Sequence, residues 1–265
     1  MEKPDLIRLS QSHLNLLSIC PPKFQQVYLD GLGSIPDSKQ QESMQWGSRF
    51  HLLMQQRELT LPIASLLETD SELDRSFKGL IEASPYLLEQ NNDLWREAEH
   101  YRTLIKDQFL FTVIYDLLIL KQEQAIILDW KTYSQPVKLR DLANNWQTRL
   151  YLYVLANTSD YSPEQIQMTY WFVKADKPQS RTINYTQAKH RQTEKDLNHL
   201  LSNLITYWEN YLQLQTRHTS SSTEEICAFP HRLDCQEKCP YRQIQLEDKQ
   251  QKWQKSMDEI EEIVI

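Results

Sequence analysis

Residues 125–133 read A-I-I-L-D-W-K-T-Y, and the four leading apolar residues run without a break into Asp129, Trp130 and Lys131. An apolar run of this length describes a strand covered on both faces whose last residues emerge at a sheet edge. Side chains alternate along a strand, so Asp129 and Lys131 share one face and Trp130 points to the other. A carboxylate and an ammonium placed this way can hold a divalent cation and an activated water side by side. The plainer alternative is an edge strand whose Asp and Lys are solvated.

A second carboxylate lies just upstream. Residues 108–120 contain the run F-L-F-T-V-I-Y-D-L-L-I-L, another strand, with Asp116 set in otherwise uncharged sequence. Burying a lone carboxylate is costly, so a cation or a hydrogen-bond donor is expected to meet it. The polar residues 121–124 suit a hairpin between the two strands. Whether that hairpin brings Asp116 near Asp129 depends on the register, which the letters leave open.

Several short motifs surround this pair in order. Ser10-Gln11-Ser12-His13-Leu14 leads to Cys20-Pro21-Pro22-Lys23-Phe24, followed by Gly47-Ser48-Arg49-Phe50-His51. Glu99 precedes Asp116 by seventeen positions, and Gln147-Thr148-Arg149-Leu150-Tyr151 follows Lys131. Together these motifs resemble the PD-(D/E)xK nuclease superfamily, in particular the RecB-like branch with its recombination nucleases and CRISPR-adaptation exonucleases. The likeness spans roughly residues 8 to 245.

The resemblance implies a restriction-endonuclease-like α/β fold, a mixed β-sheet core flanked by helices with a helical insertion. It also implies a metal-dependent nuclease that hydrolyses DNA phosphodiester bonds, by exonuclease action, in repair, recombination or CRISPR-related work. In that reading His51, Asp116, Asp129 and the carbonyl of Trp130 bind one Mg²⁺ or Mn²⁺. Lys131 orients or deprotonates the attacking water, Glu99 orients a metal-bound water, Gln147 hydrogen-bonds substrate or catalytic groups, and Tyr151 places the phosphate. Without the resemblance, His51 and Tyr151 read equally well as satisfied core residues, and Glu99 as a simply exposed strand residue.

Composition sets limits. The length suits one large domain or a domain with an insertion. The formal net charge of −7 does not advertise nucleic acid, so a nuclease needs a local basic track, for which Lys131, Lys138, Arg140 and Arg149 are the candidates. No apolar run is long enough to span a bilayer and no signal peptide opens the chain, so a cytoplasmic location and no membrane partner are expected. In that compartment four cysteines are thiols or metal ligands rather than disulfides.

In chain order, Ser10 or Ser12 caps a helix over Leu14–Ile19 that Pro21-Pro22 ends. A second helix covers residues 37–58, with Trp46, Phe50, Leu53 and Met54 on its apolar face and Gly47 one turn before His51. Residues 61–88 read as short helices broken at Pro62 and Pro85, part of a helical region over 38–93. An edge strand over 94–105 alternates Glu99, Tyr101 and Thr103 with His100, Arg102 and Leu104. One helix is expected over 138–157, strands over 166–173 and 181–185, and a long helix over 186–214.

A Ser/Thr-rich linker, 218–226, separates the nuclease domain, 1–217, from a segment over 227–265 expected to pack back on the core. In the family, late cysteines join one at the C-P-x-K-F turn to hold a [4Fe–4S] cluster. Cys20, Cys227, Cys235 and Cys239 would be the ligands here. The spacing departs from the family, with three residues between Cys235 and Cys239 and Gln245 where the last cysteine belongs, which favours a relic segment that packs without metal. The tail over 250–265 reads as an acidic amphipathic helix or a disordered end.

A second class of function is a catalytically inactive nucleic-acid- or partner-binding member of the fold. The acidic charge, the eroded cysteines and Val113, where a glycine is common in the family, favour it; retention of Asp116, Asp129, Lys131 and Gln147 opposes it. Either reading is compatible with a helicase or CRISPR/recombination partner chain. No G-x-x-x-x-G-K-[ST] loop occurs, so a motor would be a separate chain.

Overall fold

The apolar runs become the central strands of one mixed sheet in the computed structural model, which describes residues 6–33, 36–84, 87, 94–133, 135–175, 177–216 and 228–231. The elements are β1 (Ile7–Leu9), α1 (Gln11–Ile19), α2 (Pro21–Phe24), α3 (Ser38–Glu58), α4 (Ala64–Thr69), α5 (Ser71–Ala83), β2 (Trp95–Lys106), β3 (Phe109–Lys121), β4 (Gln124–Lys131), α6 (Leu139–Asn144), α7 (Trp146–Asn157), β5 (Ile166–Phe172), β6 (Gln179–Asn184) and α8 (Gln187–Thr216). The sheet order is β1-β3-β4-β5-β6, with β2 paired to β3 beside that path. This is the helix-flanked mixed sheet expected from the sequence.

The chain divides into two units, one from residues 36–104 and 111–193 and the other from 6–33, 105–110, 194–216 and 228–231. In the first, β3 and β4 form an antiparallel hairpin from Leu117↔Leu128 to Lys121↔Gln124, closed by Gln122 and Glu123. β4 then runs parallel to β5 from Ala125↔Ile166 to Lys131↔Phe172, and β5 is antiparallel to β6. Parallel neighbours need a crossover, supplied here by the segment that contains α6 and α7. On one face, Phe50, Leu53 and Met54 of α3 and Leu73 and Leu80 of α5 pack on Leu117, Ile119, Ile126, Leu128 and Trp130. Each such side chain, fully buried, contributes about 1.5–3 kcal/mol.

Two local departures from the expected helices have simple causes. The helix expected over 138–157 is broken at Asn145, whose extended backbone (φ −66°, ψ 142°) caps α7 by accepting the Gln147 N–H at 2.8 Å. Asparagine competes for backbone donors in this way and so favours caps over helix interiors. The apolar stripe of Leu142, Trp146 and Leu150 continues across the break and hides it from a periodicity reading.

In the other unit, α1 stops at Ile19 as expected, but Pro21 opens α2 at its first position, where the missing N–H costs nothing. The Ser10 N–H is received by Nδ1 of His13 at 3.2 Å, and the ring stacks on Tyr28 at 4.0 Å. Burial pushes the His13 pKa down to about 4, which keeps that nitrogen available as an acceptor. Cys20 is buried, and Phe229 stacks on Phe24 at 5.8 Å. The candidate cluster ligands Cys227, Cys235 and Cys239, the 218–226 linker, nearly all of the 227–265 segment and the 250–265 tail lie outside the described residues.

Candidate active site

Both strands that carry the upstream carboxylates lose their alternation at the carboxylate itself. In β2, Trp95 meets the His100 ring edge-on at 5.3 Å, and Glu97 Oε2 lies 2.7 Å from His100 Nδ1. Residues 95, 97 and 100 therefore share one face, which requires an extra residue between them, a β-bulge. The bulge falls at Glu99, whose φ of +51° is left-handed. A non-glycine residue held there costs roughly 1–2 kcal/mol.

In β3, Tyr115 donates its hydroxyl to the Tyr151 carbonyl on α7 at 3.0 Å. Leu117, two residues on, instead joins the core under α3 and α5. Asp116 sits at that switch.

The two irregularities turn Glu99 and Asp116 toward His51 of α3. His51 Nδ1 is 3.3 Å from Asp116 Oδ1 and 3.7 Å from Glu99 Oε1, while Nε2 is 3.2 Å from the Trp130 carbonyl. One donor atom from each of His51, Glu99 and Asp116 can be chosen so that all lie within 4.8 Å of one another. Burial alone would lower the His51 pKa, but the charge and hydrogen bond of Asp116, the hydrogen bond of Glu99 and the charge of Asp129 hold it well above the usual histidine value.

Gly47, one turn earlier, makes this approach possible. A Cβ there would lie 3.1 Å from Thr132 Oγ1, just past the end of β4.

Continued by one step, the β3–β4 register would set Asp116 opposite Asp129. In place of another backbone bond, Asp116 Oδ2 accepts the Trp130 N–H at 2.6 Å. The carboxylate thus completes the hairpin end, and its other oxygen faces the imidazole.

Asp129 and Lys131 form a separate, more enclosed group, with side-chain exposures of 4% and 8% and an Nζ–Oδ1 distance of 3.2 Å. Gln147, at the start of α7, ties them together. Its Nε2 donates to Asp129 Oδ2 at 2.7 Å and its Oε1 accepts from Lys131 Nζ at 2.9 Å. Lys131 Nζ also lies 5.4 Å from the centre of the Tyr170 ring.

Tyr151 is buried on α7; burial, then the charges of Asp129 and Asp116, push its phenol pKa up, against a smaller lowering by Gln147. It is therefore a neutral hydroxyl at ordinary pH. Arg149 lies over the Trp146 ring at 4.3 Å, while Lys138 and Arg140 are exposed.

The structure thus gathers His51, Glu99 and Asp116 into one group and Asp129, Lys131 and Gln147 into another, with Trp130 touching the first through both its N–H and its carbonyl. Two supporting residues escaped the sequence reading. Tyr170, in register with Asp129 on β5, hydrogen-bonds Thr148 at 2.7 Å, and the Thr148 hydroxyl donates to the Leu142 carbonyl. Tyr170 looked like one more apolar strand residue, and only its register gives it a role.

An imidazole nitrogen with two carboxylates is a donor set suited to a divalent cation. The Trp130 carbonyl can only accept, so His51 Nε2 carries the proton on that side and Nδ1 is the nitrogen that would face a cation beside the acids.

The chain belongs to the PD-(D/E)XK nuclease superfamily, whose family model matches residues 8–244. Membership implies hydrolysis of nucleic acids with divalent metal ions. Among solved structures, it is similar to one named "Putative exonuclease" from Eubacterium rectale, at 12% identity and a TM-score of 0.48 over 84% of this chain and 91% of that one. Another, named SSO0001, aligns at 13% identity and a TM-score of 0.33 over 80% of this chain and 84% of that one. No curated protein matches. Among the described residues, no helix is long and apolar enough to cross a membrane.

Proposed function

We propose that the chain is a Mg²⁺- or Mn²⁺-dependent deoxyribonuclease of the RecB-like type, acting as an exonuclease in DNA repair, recombination or a CRISPR-related process. The observation that carries this reading is the convergence of His51, Glu99 and Asp116, from three separate elements, beside the strand end that bears Asp129 and Lys131. His51, Asp116, Asp129 and the Trp130 carbonyl are the proposed ligands, and we add Glu99 to them because of its approach to His51. A cation held there supplies Lewis-acid charge to the scissile phosphate.

The remaining work falls to the chain's own groups. Lys131, held by Asp129 and Gln147, presents an ammonium that steadies negative charge developing on the phosphate. Gln147 fixes the orientation of both partners and leaves neither to rotate away. Tyr151, neutral and buried, is assigned to positioning through Gln147.

The test is degradation of labelled single- and double-stranded DNA by the purified protein with Mg²⁺ or Mn²⁺. Cleavage that stops on chelation and returns with metal is the expected result. Absence of cleavage on both substrates would overturn the reading and favour the non-catalytic binder.

A further inference from the structure

Past the two carboxylates, the β2–β3 hairpin presents an exposed aromatic and an exposed aliphatic side chain. Tyr101 is 55% exposed and Ile114 is 43% exposed. Their direction follows from their neighbours. His100 and Tyr115 stack at 6.0 Å with an interplanar angle of 11°, and Arg102 reaches the Thr158 carbonyl at 2.9 Å, so these three share the α7 face. Tyr101 and Ile114 therefore project from the opposite face, the one toward which Glu99 and Asp116 are turned.

Spacing ties the two side chains to the site. Tyr101 follows Glu99 by two residues and Ile114 precedes Asp116 by two. On strands joined by a tight turn both steps run the same way, at most about 6.8 Å along the backbone from the residues that bear the carboxylates. The chain's net charge is −7, so phosphate contacts alone provide a weak hold on a polyanion. An aromatic face beside the scissile position offers stacking, which works on any base that is not already paired.

We infer that Tyr101, flanked by Ile114, is a stacking platform for an unpaired base of single-stranded DNA adjoining the phosphate that is cut. This rests on the nuclease reading and adds to it a substrate class and a specificity-determining residue. Paired bases keep their faces inside the duplex, so the platform favours frayed or single-stranded ends.

The experiment compares wild type with Tyr101→Ala and Tyr101→Trp. The probe is a fluorescent oligothymidine, intact or with abasic positions, bound in Ca²⁺ and cleaved in Mn²⁺. Tyr101→Ala is expected to weaken binding of the intact strand on the order of 10-fold and to raise KM, with Tyr101→Trp retaining wild-type affinity. Abasic strands should bind wild type as weakly as intact strands bind Tyr101→Ala, with no further loss in the variant.

Equal affinity of Tyr101→Ala and wild type for the intact strand would overturn the inference while metal-dependent cleavage still upheld the nuclease. The same holds if the substitution changes only self-association, measured by sedimentation, which would assign the patch to a protein contact. A wild type that neither binds nor cuts the strand would sink both. Tyr101 lies at the surface, so the variant is expected to keep the wild-type circular dichroism spectrum and melting temperature.

Discussion

The two acidic groups of the site are built in opposite ways. Around His51 the side chains are partly open, with exposures of 31% for His51, 32% for Glu99 and 11% for Asp116, and two carboxylates face one ring from irregular points in their strands. Around Lys131 the side chains are closed in, the strand is regular, and Gln147 bonds to both charges. The first arrangement leaves negative charge concentrated and accessible, as cation binding requires. The second neutralises its charge internally, as a buried pair must. The contrast divides the labour: one group opens to the cation, and the other holds an ammonium in place while lending the proposed site one ligand, Asp129.

The largest effects should separate the groups by readout. Asp116→Ala and Lys131→Ala are each expected to lower Mn²⁺-dependent cleavage on the order of 10³-fold. Calorimetry should show Mn²⁺ uptake lost in Asp116→Ala and retained in Lys131→Ala. If both variants lose metal equally, the division collapses into a single site.

Gln147→Leu comes next. Removing the link between Asp129 and Lys131 should cost roughly 10–100-fold in kcat, with the Mn²⁺ dissociation constant moving far less. A change confined to metal affinity would move Gln147 to the other group.

The smallest effect on activity should accompany an opposite effect on stability. Glu99→Gly removes one carboxylate and relieves a left-handed backbone, so Mn²⁺ affinity should fall about 10-fold, within the range for a positioned ligand partner. Resistance to urea should stay level or rise by about 1 kcal/mol. A stability loss above that would mean that the bulge depends on the side chain rather than enduring it.

Much of this plan was readable from the letters and some of it was not, for physical reasons. The β3–β4 hairpin announced itself, because two apolar runs joined by four polar residues have few other ways to fold. So did the inward face of α3, where Trp46, Phe50, Leu53 and Met54 recur at helical spacing. The bulges at Glu99 and Asp116 did not. A one-residue shift in alternation leaves no compositional mark when the neighbours on both faces are already mixed, and it is fixed by what α3 and α7 demand from either side. The short strand β1 and the role of Tyr170 were hidden for a related cause, since pairing partners far away along the chain assign them their places.

Gly47 carries an implication for anyone who would transplant or redesign this centre. Helix α3 is gauged against the strand end by a missing methyl group, with Thr132 as the stop. The imidazole four positions later inherits that clearance. Substituting alanine would act like a shim of a few tenths of an ångström under the helix, shifting the ring relative to both acids without altering any group that does chemistry. A graft that copied the acids, the lysine and the histidine but filled this gap would reproduce the inventory and miss the alignment.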